Sequence, residues 1–326
     1  MVSILMPFYN MERWIQETVH SIQSQTFKDW ELICIDDFST DQSNQLIKNL
    51  QSKDERIQLY RNTSKGIIPA LNLALKKSSG KYITRMDADD FMPQERLKKM
   101  VSTLSQSSEK TIVTGKVQYF SREPVSNGYR EYENWLNQRV DNNDHWKHIF
   151  RECVIASPNW IVRKSDLIKH EIFDTLKYPE DYDMTFQWMK KGFSITSIAC
   201  TTLLWREHPD RTSRNSLIYQ QNSFFQLKLD WFLKIHGTEK KTIGILGAGT
   251  KGKITARFLT KHAQNFNWYD YKHSNYSAGL QGHKICDYND VSTDLLLIAI
   301  YPKDLDKLTR FLSQKGYKIG KNAWLL

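Results

Sequence analysis

The chain has no apolar run approaching the ~18 to 20 residues that cross a bilayer. Its amino terminus passes into strand-like sequence, Val2 to Phe8, without a basic leader, so a cytoplasmic protein is expected. Cysteine is scarce: Cys34, Cys153, Cys200 and Cys286 show no paired spacing. That argues against a zinc site or a disulfide framework and for reduced, mostly buried thiols. Nucleic-acid motifs, basic runs and basic stripes interleaved with aromatics are also missing, so nucleic acid is not the expected partner. What remains is 326 residues, 40% hydrophobic and 12% aromatic, enough for two domains with packed cores. Lys and Arg number 46 against 36 Asp and Glu, a formal charge of +10, which favours an anionic partner such as a phosphorylated substrate or an anionic membrane surface.

Strand and helix patterns alternate from the start. Val2 to Phe8 reads as a buried strand, and Glu12 to Gln25 puts Trp14, Ile15, Thr18, Val19 and Ile22 on one helical face. A strand follows at Glu31 to Asp36, then a helix over Gln42 to Gln51 with Ser39, Thr40 and Asp41 as caps, then a strand at Ile57 to Arg61. A helix after Gly66 carries Ile68, Leu71 and Leu75 and gives way to the strand Lys81 to Met86. Such alternation predicts an α/β fold, a doubly wound and mostly parallel sheet whose carboxyl edge carries the ligand. Thr111 to Asn143 shows no clear period; order returns with a strand around Trp160-Ile161-Val162 and a helix over Asp183 to Lys191 ended by Gly192.

Polar residues at the strand ends share that edge: Tyr9 and Asn10, then Asp37, then Arg85-Met86-Asp87-Ala88-Asp89-Asp90. Crowded carboxylates repel one another, and a divalent cation among them is the usual remedy. A hard cation on one or two aspartates, with positions left for phosphate oxygens, suits a diphosphate. Tyr9 can stack on a base or simply pack, and Asp37 can accept an imide proton of uracil or thymine or cap the next helix. Glu180-Asp181 opens a later helix, where it serves as a cap or, for Asp181, as a general base remote in sequence from the first acidic cluster. His208 follows Trp205-Arg206-Glu207 as a structural residue or a metal or phosphate contact, and Arg206 and Arg211 are candidates to face phosphate.

The segments Val2 to Asn10, Ser24-Gln25-Thr26-Phe27, Glu31 to Asp41, the Asp87 cluster, Glu180-Asp181-Tyr182-Asp183 and Arg206 to His208 together resemble the family 2 inverting glycosyltransferases of the GT-A fold. The resemblance covers most of residues 1–220. It implies a nucleotide-diphosphate sugar donor, with UDP the expected carrier, across the sheet edge. Pro7 and Tyr9 would line the base pocket with Asn10 beside them, and Asp37 would hold the base. Arg85, Asp87 and Ala88 would meet the donor, and Asp87, Asp89 and His208 a Mg or Mn ion. Asp181 would be the catalytic base, with Trp160 and Glu180 near the acceptor. The implied acceptor is a glycan or lipid-linked glycan of a bacterial surface polysaccharide or lipopolysaccharide, with peripheral contact at an anionic membrane. Three departures stand out: Phe38 occupies a position commonly glycine in that family, Asn62-Thr63-Ser64-Lys65-Gly66 is longer than the usual Asn-x-Gly, and the acceptor-facing stretch near Ser157-Pro158-Asn159-Trp160 is atypical.

Residues 221–241 read as a helical linker and 242–326 as a second domain. There Gly247-Ala248-Gly249-Thr250-Lys251-Gly252 follows a strand and precedes a helix, with Asp270 placed 21 residues (270 − 249) after Gly249. Gly247, Gly249, Gly252 and Asp270 are thus candidate contacts to a nucleotide or dinucleotide. The 84 residues from Ile243 to Leu326 (326 − 243 + 1) make half a Rossmann unit, too little for a dehydrogenase with its own catalytic domain. The piece resembles the small Rossmann-like modules attached to some bacterial sugar-modifying enzymes. A rival reading of the whole chain is a non-catalytic regulator that binds a sugar nucleotide in one domain and a dinucleotide in the other.

Overall fold

The computed structural model describes residues 1–174, 176–209, 211, 224–237, 240–302 and 304–326. The chain divides into two compact units, Met1–His145 with Val154–Arg211, and Trp146–Cys153 with Thr212–Leu326. The expected boundary at residues 220 and 221 lies outside the described residues, as do the polar positions 212–215.

The first unit runs β1 (Val2–Phe8), α1 (Ile15–Gln23), β2 (Trp30–Asp36), α2 (Ser43–Gln51), β3 (Ile57–Arg61), α3 (Ile67–Lys77) and β4 (Tyr82–Arg85). It continues through α4 (Arg96–Gln106), β5 (Thr111–Phe120), α5 (Asn127–Asn142), β6 (Ile161–Arg163), α6 (Lys164–Lys169), α7 (Glu180–Lys190) and β7 (Ser194–Arg206). Its seven strands lie in the order β3-β2-β1-β4-β6-β5-β7. β1 to β4 are mutually parallel, β6 is antiparallel to β4 and β5, and β7 is parallel to β5. Every residue of β1 and β2 is buried, as befits central strands covered on both faces, and their near-continuous apolar sequence follows from that position.

The segment 111–143, expected to be irregular, is instead β5 followed by α5. Gly115 breaks the strand's pattern: its pairing with β7 shifts register at Gly115/Lys116, and a Cβ there would lie 2.5 Å from Thr202 Oγ1. The buried positions of α5 are Leu136, Arg139 and Val140, while Tyr129, Tyr132 and Trp135 pack on the core only partly buried. A face built of aromatics and an arginine hides its helical period from a hydropathy reading.

The acidic turn after β4 hangs from α1. Thr18 Oγ1 donates to the carbonyls of Ala88 (3.0 Å) and Asp90 (2.8 Å). Gln25, fully buried, donates to the carbonyls of Met92 (3.2 Å) and Pro93 (2.8 Å) and accepts from the Leu97 N–H at the start of α4 (3.0 Å). Gln25 of the Ser24-Gln25-Thr26-Phe27 motif therefore fixes the backbone that leads from the acidic turn into α4.

The second unit contains α8 (Phe225–His236), β8 (Ile243–Leu246), α9 (Thr250–Lys261), β9 (Phe266–Asp270), β10 (Ile285–Asp287), β11 (Leu295–Ile298), α10 (Leu305–Gln314) and β12 (Ala323–Leu325). Its five strands, all parallel, run β10-β9-β8-β11-β12, the Rossmann-like arrangement in which strand order reverses beside the first strand. Phe150, from the short 146–153 segment, packs edge-on against Phe232 (5.7 Å) and Trp324 (6.1 Å) within this unit.

Replacing Gln25 with Leu keeps the volume but takes from the Met92 carbonyl and the Leu97 N–H their Gln25 partner, at about 1–3 kcal/mol for each buried group left unpaired. Gln25→Leu is expected to lower unfolding free energy by about 3 kcal/mol in urea denaturation; an unchanged midpoint would contradict the assigned role.

Candidate active site

At the end of β2, Asp37 accepts from Asn62 Nδ2 (2.7 Å, Oδ1) and from the Gly66 N–H (2.9 Å to Oδ1 and 3.0 Å to Oδ2). Asn62 and Gly66 at the two ends of the longer loop thus both reach Asp37, across two more intervening residues than an Asn-x-Gly has. Lys65 Nζ lies over the Tyr9 ring at 4.9 Å, and Tyr9 is 41% exposed, a ring face open to a stacking partner. Asn10 has φ 52°, and its side chain accepts from the Thr40 N–H at 2.8 Å, so it latches two loops. Pro7 is buried in β1 opposite Ile35. Phe38 has φ +65°, a left-handed conformation natural to glycine and unfavourable by roughly 1–2 kcal/mol for other residues. The position is nevertheless filled by Phe, with the Arg61 guanidinium 5.1 Å from its ring.

Arg85 ends β4 and divides its guanidinium between two carboxylates. Nε donates to Asp87 Oδ1 at 2.7 Å and a terminal nitrogen donates to Glu180 Oε1 at 2.8 Å, with Arg85 and Glu180 side chains only 7% and 5% exposed. Burial alone would lower the Arg85 pKa, but the Asp87 and Glu180 charges more than offset it and push it up. Asp87 is pushed up by desolvation, opposed by Arg85 and reinforced by Asp89. Asp90 is raised well above the usual carboxylate range by burial and by the Asp89 and Asp87 charges. Ala88 between them is buried and offers only its backbone, bound by Thr18.

Arg206 is committed to structure. Its N–H donates to Asp90 Oδ1 (2.9 Å), its Nε to the Asp89 carbonyl (2.7 Å) and a terminal nitrogen to Glu17 (2.6 Å), with the guanidinium 4.6 Å from the Trp14 ring centroid. Arg211 lies over Trp205 at 4.6 Å and beside Glu207 at 3.5 Å. His208 Nε2 meets Asp89 Oδ2 at 2.9 Å, and His208 Nδ1 is buried without a hydrogen-bond partner. Among the described residues no three His, Cys, Asp or Glu side chains form a complete metal cage. A carboxylate and an imidazole already in contact, beside the crowded Asp87 and Asp90, nevertheless suit a cation that draws its other ligands from phosphate.

Glu180 and Asp181 open α7. Asp181 is partly exposed, and Oδ1 accepts from the Tyr182 N–H at 2.8 Å. Desolvation, followed by the Glu180 charge, lifts its carboxyl to about 7 against the opposing effect of Arg85. The Arg85 bridge therefore brings the two carboxylate groups, remote in sequence, to one site. Glu180 itself faces inward. Trp160 is 1% exposed and donates to the Ser157 carbonyl at 2.8 Å, so its ring belongs to the core and offers no surface to an acceptor.

Sequence reasoning missed Arg96, which sits on the buried face of α4 with Leu97, Met100 and Leu104. It donates to Thr84 Oγ1 (3.1 Å) and to the carbonyls of Arg85 (3.3 Å) and Pro158, tying β4 to the segment before β6. Burial draws its pKa down to about 10, opposed by Asp90 and Asp87. A charged residue at a core-facing helix position is the signal that marks it.

In the second unit, Gly252 lets α9 approach the glycine-rich turn, since a Cβ there would fall 1.9 Å from the Gly247 carbonyl. Gly247 has φ +115°, and Gly249 precedes α9. Asp270 turns inward to this loop: Oδ2 accepts from the Ala248 N–H and Oδ1 from the Lys272 N–H, both at 2.6 Å.

Comparison with known proteins follows this geometry. The family model for Glycosyl transferase family 2 matches residues 3–170, 168 (170 − 3 + 1) of 326. An uncharacterized glycosyltransferase of Haemophilus influenzae is 39% identical over 108 residues, 33% of this chain and 43% of that protein. This chain thus spans less than half of that relative's length. The UDP-Glc:alpha-D-GlcNAc-diphosphoundecaprenol beta-1,3-glucosyltransferase WfgD of Escherichia coli is 28% identical over 236 residues, 71% of this chain and 84% of its own. Among solved structures, S. aureus TarS 1-349 in complex with UDP-GlcNAc superposes with a TM-score of 0.56 at 20% identity, over 80% of this chain and 72% of that one; this is a likeness of fold.

Removing the Asp37 carboxylate frees Asn62 and Gly66 together. Asp37→Ala is expected to speed tryptic cleavage after Lys65 about tenfold, the change that losing ~1.4 kcal/mol of local hydrogen bonding produces. An unaltered cleavage rate would show that the loop is held by something else.

Proposed function

The chain belongs to Glycosyl transferase family 2, and on that footing we propose that it transfers a sugar from a nucleoside-diphosphate donor, UDP above all, to an acceptor hydroxyl with inversion at the anomeric carbon. The supporting observation is the Arg85 bridge, which joins Asp87 of the acidic turn to Glu180, the residue before Asp181. In this reading the base stacks on Tyr9 and donates its imide N–H to Asp37, whose carboxylate is already oriented by Asn62 and Gly66. Asp87 and Asp89 face ribose and diphosphate. A bound Mg or Mn, held by Asp89 and His208 beside Asp87, would neutralise the departing diphosphate. Asp181 accepts the proton of the acceptor hydroxyl as that oxygen bonds to the anomeric carbon and the bond from carbon to diphosphate oxygen breaks. A carboxyl lifted to about 7 is a stronger base than an ordinary aspartate while remaining substantially ionised near neutrality.

The acceptor in this reading is a glycan or lipid-linked glycan of a bacterial surface polysaccharide, in keeping with the +10 charge and with the relative that acts on a diphosphoundecaprenol-linked sugar. No helix among the described residues is long and apolar enough to cross a membrane. Trp160 and Glu180, both buried, take no part in acceptor contact. The second unit serves as a packing or ligand-binding module, since Asp270, the expected ribose contact, is engaged by its own glycine-rich loop.

Asp181→Asn is expected to reduce turnover at least about 1,000-fold with UDP affinity unchanged by calorimetry; turnover near that of the natural chain would refute the base assignment. The base works ionised, so the rate should fall about tenfold per pH unit below about 7 and level off above it. A flat profile between pH 5.5 and 8 would exclude Asp181. Asp89→Ala should abolish the enhancement of UDP binding by Mn, and equal UDP affinity with and without Mn in the natural chain would remove the metal from the scheme.

A further inference from the structure

Glu180 stands beside the assigned base, yet its side chain is 5% exposed and reaches no acceptor. One oxygen accepts from Arg85 at 2.8 Å; the other, Oε2, is buried and has no hydrogen-bond partner among the described residues. Arg85, only 7% exposed, extends the contact to Asp87 at 2.7 Å. A guanidinium is a planar fork, so fixing two of its edges fixes the spacing and relative orientation of the carboxylates it holds. One of these carboxylates is two residues past the end of β4, and the other is the first residue of α7. A buried ion pair with an unsatisfied oxygen is a poor way to stabilise a fold, because an apolar pair of similar volume is often as stable or more so. A group that makes the interior less favourable and lies next to a reactive one points to function.

We propose that Glu180 is a positioning residue: through Arg85 it locks the first turn of α7, and with it Asp181, to the Asp87 turn, so that the base is held in one geometry relative to the donor. The assignment deepens the transferase reading and rests on it. Glu180 does this without touching either substrate, and its negative charge also favours the protonated form of Asp181. Asp183, three residues on from Glu180, makes a separate local anchor by accepting from the Lys177 N–H at 3.0 Å and Gln187 Nε2 at 3.0 Å. These two contacts of Asp183 are local, whereas the Glu180 contact reaches Arg85 at the end of β4.

The test compares Glu180→Leu, the double variant Arg85→Met with Glu180→Leu, Glu180→Gln and Asp181→Asn in the full chain. Steady-state transfer, UDP calorimetry with Mn and thermal melting are measured for each. Glu180→Leu leaves Arg85 short of a partner and melts lower; the double variant removes that unpaired cation but leaves Asp87 without its counter-charge, so it regains only part of the melting temperature. If the pair positions the base, the double variant still loses about 100-fold in kcat, the size of effect that a small misplacement produces. Glu180→Gln keeps a hydrogen bond to Arg85 and is expected to fold normally and to bind UDP as the natural chain does, with kcat lower by about tenfold. Recovery of kcat together with stability in the double variant would make the pair purely structural and overturn the proposal. Natural kcat in Glu180→Gln would overturn it equally, even if the double variant failed to fold. Should Asp181→Asn retain activity, the transferase assignment of the base fails and this proposal fails with it. An inactive Asp181→Asn beside an active double variant removes the role of Glu180 alone.

Discussion

Three carboxylates within four residues, Asp87, Asp89 and Asp90, stay together in a largely buried turn because the protein surrounds them with cations and donors. Arg85 binds Asp87 through its side chain. Arg206 reaches Asp90 through its N–H and the Asp89 carbonyl through its guanidinium, and Arg96 supplies a buried positive charge against the end of the same strand. Mutual repulsion among the acids remains, as the upward shifts of Asp87 and Asp90 record. In the proposed reading, a cation shared with phosphate would relieve that residual repulsion.

This electrostatic frame explains how separate parts of the chain divide the labour. The end of β2 and the loop after β3 surround the Asp37 carboxylate with hydrogen-bond donors, and Tyr9 lies exposed at the same sheet edge. The turn after β4 carries concentrated negative charge, and the N-terminal end of α7 carries a carboxyl whose environment favours the protonated form more than water does. In the proposed reading, base recognition, phosphate recognition and proton transfer fall to different elements of one unit, joined by buried contacts such as the Arg85 bridge.

Much of this was legible in the sequence because it is written in short stretches. Central strands buried on both faces read as apolar runs, and the polar residues just beyond them fall on one edge once parallel pairing is inferred. Tyr9, Asp37, Asp87 and Asp89 could be placed at that edge on this basis, whereas Asp181 is singled out through the family resemblance. What escaped depends on contacts between distant positions. Nothing local in Glu180 distinguishes a surface acid at a helix start from one that meets Arg85, 95 residues earlier. Trp160 neighbours an acceptor-like segment, but its neighbours in space make it core. Arg206 looks available for phosphate until Glu17, Trp14 and the Asp89 carbonyl are seen to occupy it. β5 and α5 were hidden for another reason, a glycine-centred register shift and an aromatic helix face that blur both periodicities.

The short 146–153 segment, interrupted in sequence by the first unit yet assigned to the second, bears on how the protein can be dissected. Phe150 rests on Phe232 and Trp324, and Lys228 donates to the Arg151 carbonyl at 2.7 Å, so a fragment ending near residue 211 would strip this stretch of its packing partners while leaving it covalently in place. The second unit is therefore assembled from two separated stretches of chain, and cutting near residue 211 removes one of them while leaving the other behind.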